Sequence, residues 1–234
     1  MTDSAMRELA DDPSSRKRFF KMMGGAGAVS AFAVVLAACG DDDEEGAAST
    51  PAESPAESEE GGDGVKGDIA VLNFALTLEF LEADFYKQVI DSGIVKDPKQ
   101  VSLAKQFGET EQTHVDSLKA AIEGMGGTAV TAPKTKFQPT LDKGLMAVLE
   151  TAATVENLGA AAYLGAAGRI KSKEVLATAL AIHSVEARHA AALNSLVGRG
   201  FGGKGGLEGS LPDGAFAKGM DEAAVLDAVK PFLA

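Results

Sequence analysis

The sequence predicts an all-α fold: a four-helix bundle with one long crossover between helices two and three, plus a short C-terminal helix. Three observations carry that expectation. Four stretches of roughly 25 residues each show an apolar stripe at helical spacing, and most are bounded by capping residues. The connections near 92–97 and 169–172 are short, as antiparallel neighbours require, whereas residues 124–140 can run from one end of a bundle to the other. A pattern of acids, histidines and tyrosines also recurs in the two halves of the chain.

The first helix is expected from about Asp68 to Asp91, closed by Ser92-Gly93. Its stripe is Ile69, Leu72, Leu76, Glu79, Ala83, Tyr86 and Ile90, with Asn73, Thr77, Asp84 and Gln88 on the opposite, wet face. The second has Asp97 as N-cap, Pro98 at its first position and an end near Glu123, with Gly124 as the stop. Leu103, Phe107, Glu111, His114, Leu118 and Ala121 form its inner face, so Glu111 points in and Glu109 points out. The third is expected over Leu141 to Gly168, capped by Thr140. Its stripe includes Leu145, Leu149, Ala152, Glu156, Gly159 and Tyr163, and Glu150 falls on the solvated side. The fourth spans Lys173 to Val197, capped by Ser172 and stopped by Gly198, with Val175, Ile182, Glu186, His189, Leu193 and Leu196 inward. A Gly-rich loop over 198–210 leads to a short helix near Asp221–Val229, stopped by Pro231. Val225, Leu226, Val229 and Phe232 suit docking on the outside of the bundle.

Charge divides the chain. The whole carries −12, but residues 39–64 hold ten acidic and no basic side chains, and residues 65–234 hold twenty acidic against seventeen basic. The folded part is nearly balanced, which argues against nucleic-acid binding. The single cysteine, Cys39, excludes an intrachain disulfide and a Cys-x-x-Cys metal site.

Residues 1–38 read as a signal peptide. A basic run, Ser15-Arg-Lys-Arg-Phe-Phe-Lys21, precedes an uncharged stretch from Met22 to Ala38, short for a membrane span. Leu36-Ala-Ala-Cys39 resembles the bacterial lipobox, which makes Cys39 the expected lipidation site and membrane anchor. The basic run resembles a twin-arginine export signal, with Lys17 where its second arginine would stand. Residues 39–64 are expected to be a disordered acidic linker, because almost nothing apolar there offsets the entropy of ordering. The acidic run lacks the Gly-punctuated spacing of a calcium loop. Residues 65–234 form the folded domain. This organisation implies an exported protein, lipid-anchored on the outer face of the cytoplasmic membrane or in the periplasm.

The repeat carries the chemistry. Its order is Glu79-x6-Tyr86, Glu111-x-x-His114, Glu156-x6-Tyr163, Glu186-x-x-His189, and it takes both tyrosines and two of the three histidines in the chain. A spacing of three residues puts Glu and His on one helix face, about 60° apart. With the stripes inward, four carboxylates meet in an apolar layer with no Lys or Arg on any stripe. Burying a carboxylate without a partner costs several kcal/mol. Two divalent cations would neutralise four such groups, and oxygen and imidazole donors suit iron first and manganese next, with zinc compatible. The expected metal ligands are Glu79, Glu111, His114, Glu156, Glu186 and His189. Tyr86 and Tyr163 are candidates for contacting those ligands, Glu82 for a ligand or for a contact to one, and His183, about 60° off its stripe, for a supporting position.

These motifs resemble the ferritin-like superfamily, over residues 66–232. Leu72-Asn-Phe-Ala-Leu-Thr-Leu-Glu-Phe-Leu-Glu-Ala-Asp-Phe-Tyr86 is similar to a branch of exported bacterial proteins akin to plant desiccation-associated proteins. The tail Pro212…Phe216…Val229-Lys-Pro-Phe232 is similar to that branch too. The resemblance implies the same six ligands. It implies an oxidoreductase of ferroxidase, peroxidase or catalase type, in iron handling or in oxidative or desiccation stress, or a non-catalytic metal-binding or structural stress-protection lipoprotein. The chain departs from the rubrerythrin pattern by lacking a rubredoxin-like Cys-x-x-Cys module. A homodimer is compatible with the sequence.

Overall fold

The computed structural model describes residues 60–199 and 215–234, all within one unit, Ser58–Ala234. The expected signal peptide, Cys39, most of the acidic linker and most of the Gly-rich loop lie outside the described residues. Six α-helices follow in order: α1 Glu60–Ser92, α2 Pro98–Gly124, α3 Gln138–Leu141, α4 Leu145–Ala166, α5 Lys173–Leu196 and α6 Glu222–Val229. No strand occurs among the described residues; one isolated bridge joins Thr135 to Leu233. Helices α1 and α2 form one hairpin, α4 and α5 the other, and the hairpins meet mainly through α1 and α4. This is the expected all-α bundle, with α2 joined to α4 by the long crossover. No helix of the described residues is long and apolar enough to cross a membrane.

Several boundaries differ from those expected, each for a local reason. Helix α1 starts at Glu60 rather than Asp68, inside the last residues assigned to the linker. No residue from 62 to 67 is buried, and Asp63, Val65, Lys66 and Gly67 are exposed; extending an existing helix needs only one bond per residue fixed. Asp68 instead sits inside the fold, buried, where its carboxylate accepts from the Lys171 and Ser172 amides at 2.7 Å each. It thereby ties α1 to the turn before α5.

The left-handed glycine closing α2 is Gly126 (φ 75°), not Gly124, and Gly127 N donates back to Ile122 O at 2.9 Å. Thr140 does not cap the third bundle helix. It lies within α3, a single turn, and α4 begins only after Gly144, whose φ of 96° breaks the path. The other expected caps are present: Asp97 accepts from the Lys99 and Gln100 amides, Ser172 from Val175 N and Asp221 from Ala224 N.

The polar face of α1 is not wet. The crossover lies along it: Asn73 bonds Thr128 O and Val130 N, Thr135 donates to Asp84, and Gln88 bonds both. The C-terminal segment then pins the crossover. Lys136 N bonds Phe232 O and Ala234 N bonds Lys134 O, both at 2.9 Å, and Phe137 stacks on Phe232. Val225 and Val229 dock on the bundle as expected, fully enclosed in the same cluster as Phe85 and Phe137. Leu196, expected inward, is 44% exposed because α5 ends there and the bundle has run out.

Two apolar clusters fill the bundle, and along α2 and α5 the acids separate them. On α2 Phe107 lies on one side of Glu111 and Val115, Leu118 and Ile122 on the other. On α5 Val175, Ala179 and Ile182 precede Glu186, and Leu193 follows it.

Candidate metal centre

The structure brings the six expected ligand residues into one buried layer. Glu79, Glu111, Glu156 and Glu186 have no exposed surface, and His114 and His189 are 8% exposed. Glu79 comes from α1, Glu111 and His114 from α2, Glu156 from α4, Glu186 and His189 from α5, each at a mid-helix position where the apolar stripe turns it inward.

The imidazoles organise the layer. His114 Nδ1 lies 3.1 Å from Glu79 Oε2, 2.9 Å from Glu111 Oε2 and 3.2 Å from Glu186 Oε1. His189 Nδ1 lies 2.9 Å from Glu111 Oε1 and 3.2 Å from Glu156 Oε2. One ring nitrogen carries at most one proton, so it cannot satisfy three oxygens at once. Glu111 Oε1 and both oxygens of Glu186 are left without a hydrogen bond although imidazoles stand close by, since proximity there is not alignment. Among the described residues no Lys or Arg forms an ion pair with any of these acids; their ion-pair partners are the two histidines.

Two overlapping groups result. Ligand atoms of Glu79, Glu111, His114 and Glu186 lie within 4.8 Å of one another, as do those of Glu111, Glu156, Glu186 and His189. Both groups contain Glu111 and Glu186, and the two oxygens of Glu111 face different imidazoles. Donors bonded at about 2.1 Å to an octahedral cation stand about 3.0 Å apart, which matches the separations at His114 and His189. The residues therefore fit a cation bound by carboxylates and imidazole: orphaned buried oxygens, a matching donor set and matching spacing.

The phenols cross between the halves. Tyr163 on α4 donates to Glu79 Oε1 at 2.5 Å, and Tyr86 on α1 donates to Glu156 Oε1. Each thereby fixes the rotamer of a carboxylate on the other helix and leaves that carboxylate's second oxygen facing a histidine. Phe107 stacks on His189 with centroids 3.9 Å apart, clamping its ring. A cavity of about 30 Å³ adjoins Tyr86 and Phe107, walled by apolar residues such as Val148, Ala152 and Leu193. Glu82 is 2% exposed and its Oε2 has no partner. His183 does not support the layer; it is half-buried and its ring nitrogen pairs with the Ala160 carbonyl at 3.0 Å. Glu109 and Glu150 are exposed, as expected.

Protonation follows from burial and crowding. Burial pushes the Glu79 carboxyl up to about 7, against the hydrogen bond and charge of His114. Burial and then neighbouring carboxylates hold Glu186 and Glu82 well above the usual range. Burial alone would raise Glu111 too, but the hydrogen bond from His114 and the close His189 imidazole bring it down to about 2. Burial opposes the imidazolium forms, yet the close carboxylates of Glu111, Glu186 and Glu79 lift His114 to about 12, and those of Glu111 and Glu156 lift His189 to about 9.

The model of the ferritin-like domain family matches residues 67–199. The chain belongs to the ferritin-like family. No curated protein matches it. The matched span begins just before Asp68 and ends just past α5, so this ferritin-like unit contains all six expected ligands, both tyrosines and Glu82, and excludes α6. Sequence reasoning missed Phe107 as a ring clamp and Asp68 as a tie. Gly159, placed on the inner stripe, is also more than a small helix contact: a Cβ there would meet Glu82 Oε1 at 2.9 Å and Glu186 Oε2 at 3.0 Å.

Proposed function

We propose that this ferritin-like chain binds two divalent metal ions, iron in preference to manganese, through Glu79, Glu111, His114, Glu156, Glu186 and His189, and that the loaded centre reacts with dioxygen or peroxide. The observation that carries the reading is the pair of four-residue groups joined by Glu111 and Glu186. Each group has three carboxylates and one imidazole, a set suited to iron or manganese. When bound, such ions supply electrons to an oxidant.

The chain's own residues do the rest. Tyr86 and Tyr163 hold Glu156 and Glu79 in place, Phe107 holds the His189 ring, and the apolar clusters on both sides keep bulk water away. The apolar cavity beside Phe107 has room for a molecule of about the size of water, and its walls suit dioxygen better than a hydrated ion.

Metal analysis of the purified full chain tests the reading: two ions per chain are expected, and spectra after anaerobic Fe(II) loading should change on adding oxygen or peroxide. A chain that takes up no metal, or an E111A/E186A variant that retains both ions, would overturn it. A second reading, a non-catalytic metal centre that staples a stress-protection protein, is favoured by how closed the layer is, with four glutamates wholly buried. Fe(II)-loaded protein whose spectrum ignores both oxidants would select that reading.

The proposal also puts the domain outside the cytoplasmic membrane, exported and tethered through lipidated Cys39, in iron handling or in oxidative or desiccation stress. The support is the basic run, the uncharged stretch and Leu36-Ala-Ala-Cys39 in the sequence. Labelled fatty acid should enter the wild-type chain and not C39A.

A further inference from the structure

One acid in the layer has no role among the six. Glu82 lies one turn past Glu79 on α1, is almost wholly buried, and leaves Oε2 without a hydrogen bond. Among the described residues no Lys, Arg or His forms an ion pair with it. A carboxylate in that setting costs several kcal/mol, which an apolar side chain of similar size would avoid.

The second half of the chain shows how room for it is made. Glu79 and Glu156 hold equivalent positions in the repeat, so the equivalent of Glu82 is Gly159. A Cβ on Gly159 would stand 2.9 Å from Glu82 Oε1 and 3.0 Å from Glu186 Oε2, tighter than side chains tolerate without moving. The two carboxylates converge on the space that a side chain of the second half would occupy. The arrangement is two-fold in its six ligand residues and its tyrosines, and departs from that symmetry here.

We propose that Glu82 is a seventh ligand residue of the metal centre, entering beside Glu186, and that Gly159 is the residue whose missing side chain admits it. This rests on the metal-binding reading above and deepens it. Glu82 stands outside both four-residue groups, so it reaches an ion by rotating its side chain, and Gly159 leaves that path open.

Co(II) titration of the full chain, followed by visible absorption and ion counting, tests this on wild type, E82Q and G159A. E82Q keeps the shape of Glu82 and removes its charge. It should bind one of the two ions on the order of tenfold more weakly, with an altered Co(II) spectrum, while the metal-free form melts higher than wild type. G159A keeps Glu82 and should weaken the same ion, because its methyl displaces both oxygens; this arm stands even if E82Q folds poorly. Two Co(II) bound by E82Q or by G159A with wild-type affinity and spectrum would overturn the assignment of Glu82 and leave the metal-binding reading intact. A wild-type chain that binds no Co(II) would overturn both.

Discussion

Tyr163 on α4 reaches across the bundle to Glu79 on α1 with a 2.5 Å hydrogen bond, and Tyr86 on α1 makes the reciprocal bond to Glu156 on α4. Neither phenol serves the glutamate of its own repeat. Replacing Tyr163 by Phe keeps the ring in its apolar cluster and leaves Glu79 Oε1 without a donor. We expect Y163F to lower the stability of the metal-free protein by about 1–3 kcal/mol, read from denaturant unfolding, with Y86F similar through Glu156.

The two groups overlap at Glu111 and Glu186, so single substitutions should differ in how many ions they remove. E111A and E186A should each lose both. E79A should spare the ion beside His189, and E156A the one beside His114. Counting metals per chain by mass spectrometry checks this; uniform loss across all four variants would contradict two separable groups.

Stability should depend on pH in a way that metal reverses. Folded Glu79 titrates at about 7 against an ordinary 4.5, so its contribution is complete below pH 4.5 and is lost as pH rises through 7. Glu82 and Glu186 shift the same way. His114, raised from 6.5 to about 12, contributes fully below 6.5 and progressively less above. Glu111, lowered to about 2, acts oppositely, and its contribution is lost only as pH falls from 4.5 towards 2. Metal-free protein should therefore melt at lower temperature as pH rises from about 4.5 to 7. Metal-loaded protein should melt higher over the same range, because its ligands must be deprotonated. Parallel melting curves with and without metal test the contrast.

Asp68 accepts two backbone amides from the turn before α5. Hydrogen bonds to a charged group are each worth about 1.5–3 kcal/mol. D68N keeps the size but loses the charge and one acceptor, and should destabilise by about 2 kcal/mol, measured by urea unfolding. Metal stoichiometry should be unchanged.

The C-terminal segment crosses α4 on glycine. A Cβ on Gly165 would lie 1.9 Å from Met220 O, and Met220 N bonds Ala161 O at 2.9 Å. G165A should lift this segment off the bundle and expose residues beyond 215 to protease; unchanged digestion would show that the crossing can relax.

Much of this was legible in the sequence, because spacing alone decides which helical residues share a face. Glu111 and Glu109 differ by two positions, and one is enclosed while the other is in solvent, as the 3.6-residue period requires. What escaped was set by contacts distant along the chain. Periodicity left Asn73, Asp84 and Gln88 in water because it could not see residues 128–135 folding over them. Val225 and Val229 were placed against the bundle, but nothing in eight residues announces that Phe137 of the crossover shares their cluster. The early α4 boundary at Thr140 was a competition between a good capping residue and a glycine four positions later, and backbone geometry at Gly144 prevailed. The tyrosines do bond glutamates expected as ligands, but which glutamate each takes was not legible, since a pairing between α1 and α4 is a property of docking rather than of either helix.

Each hairpin supplies three members of one four-residue group and a single member of the other: Glu79, Glu111 and His114 await Glu186, while Glu156, Glu186 and His189 await Glu111. A nascent chain that has made only its first hairpin thus owns no finished coordination set. Under the proposed loading, the ion is chosen late, in whatever compartment the second hairpin closes onto the first, and the metals available there, more than those available during synthesis, decide what the protein carries.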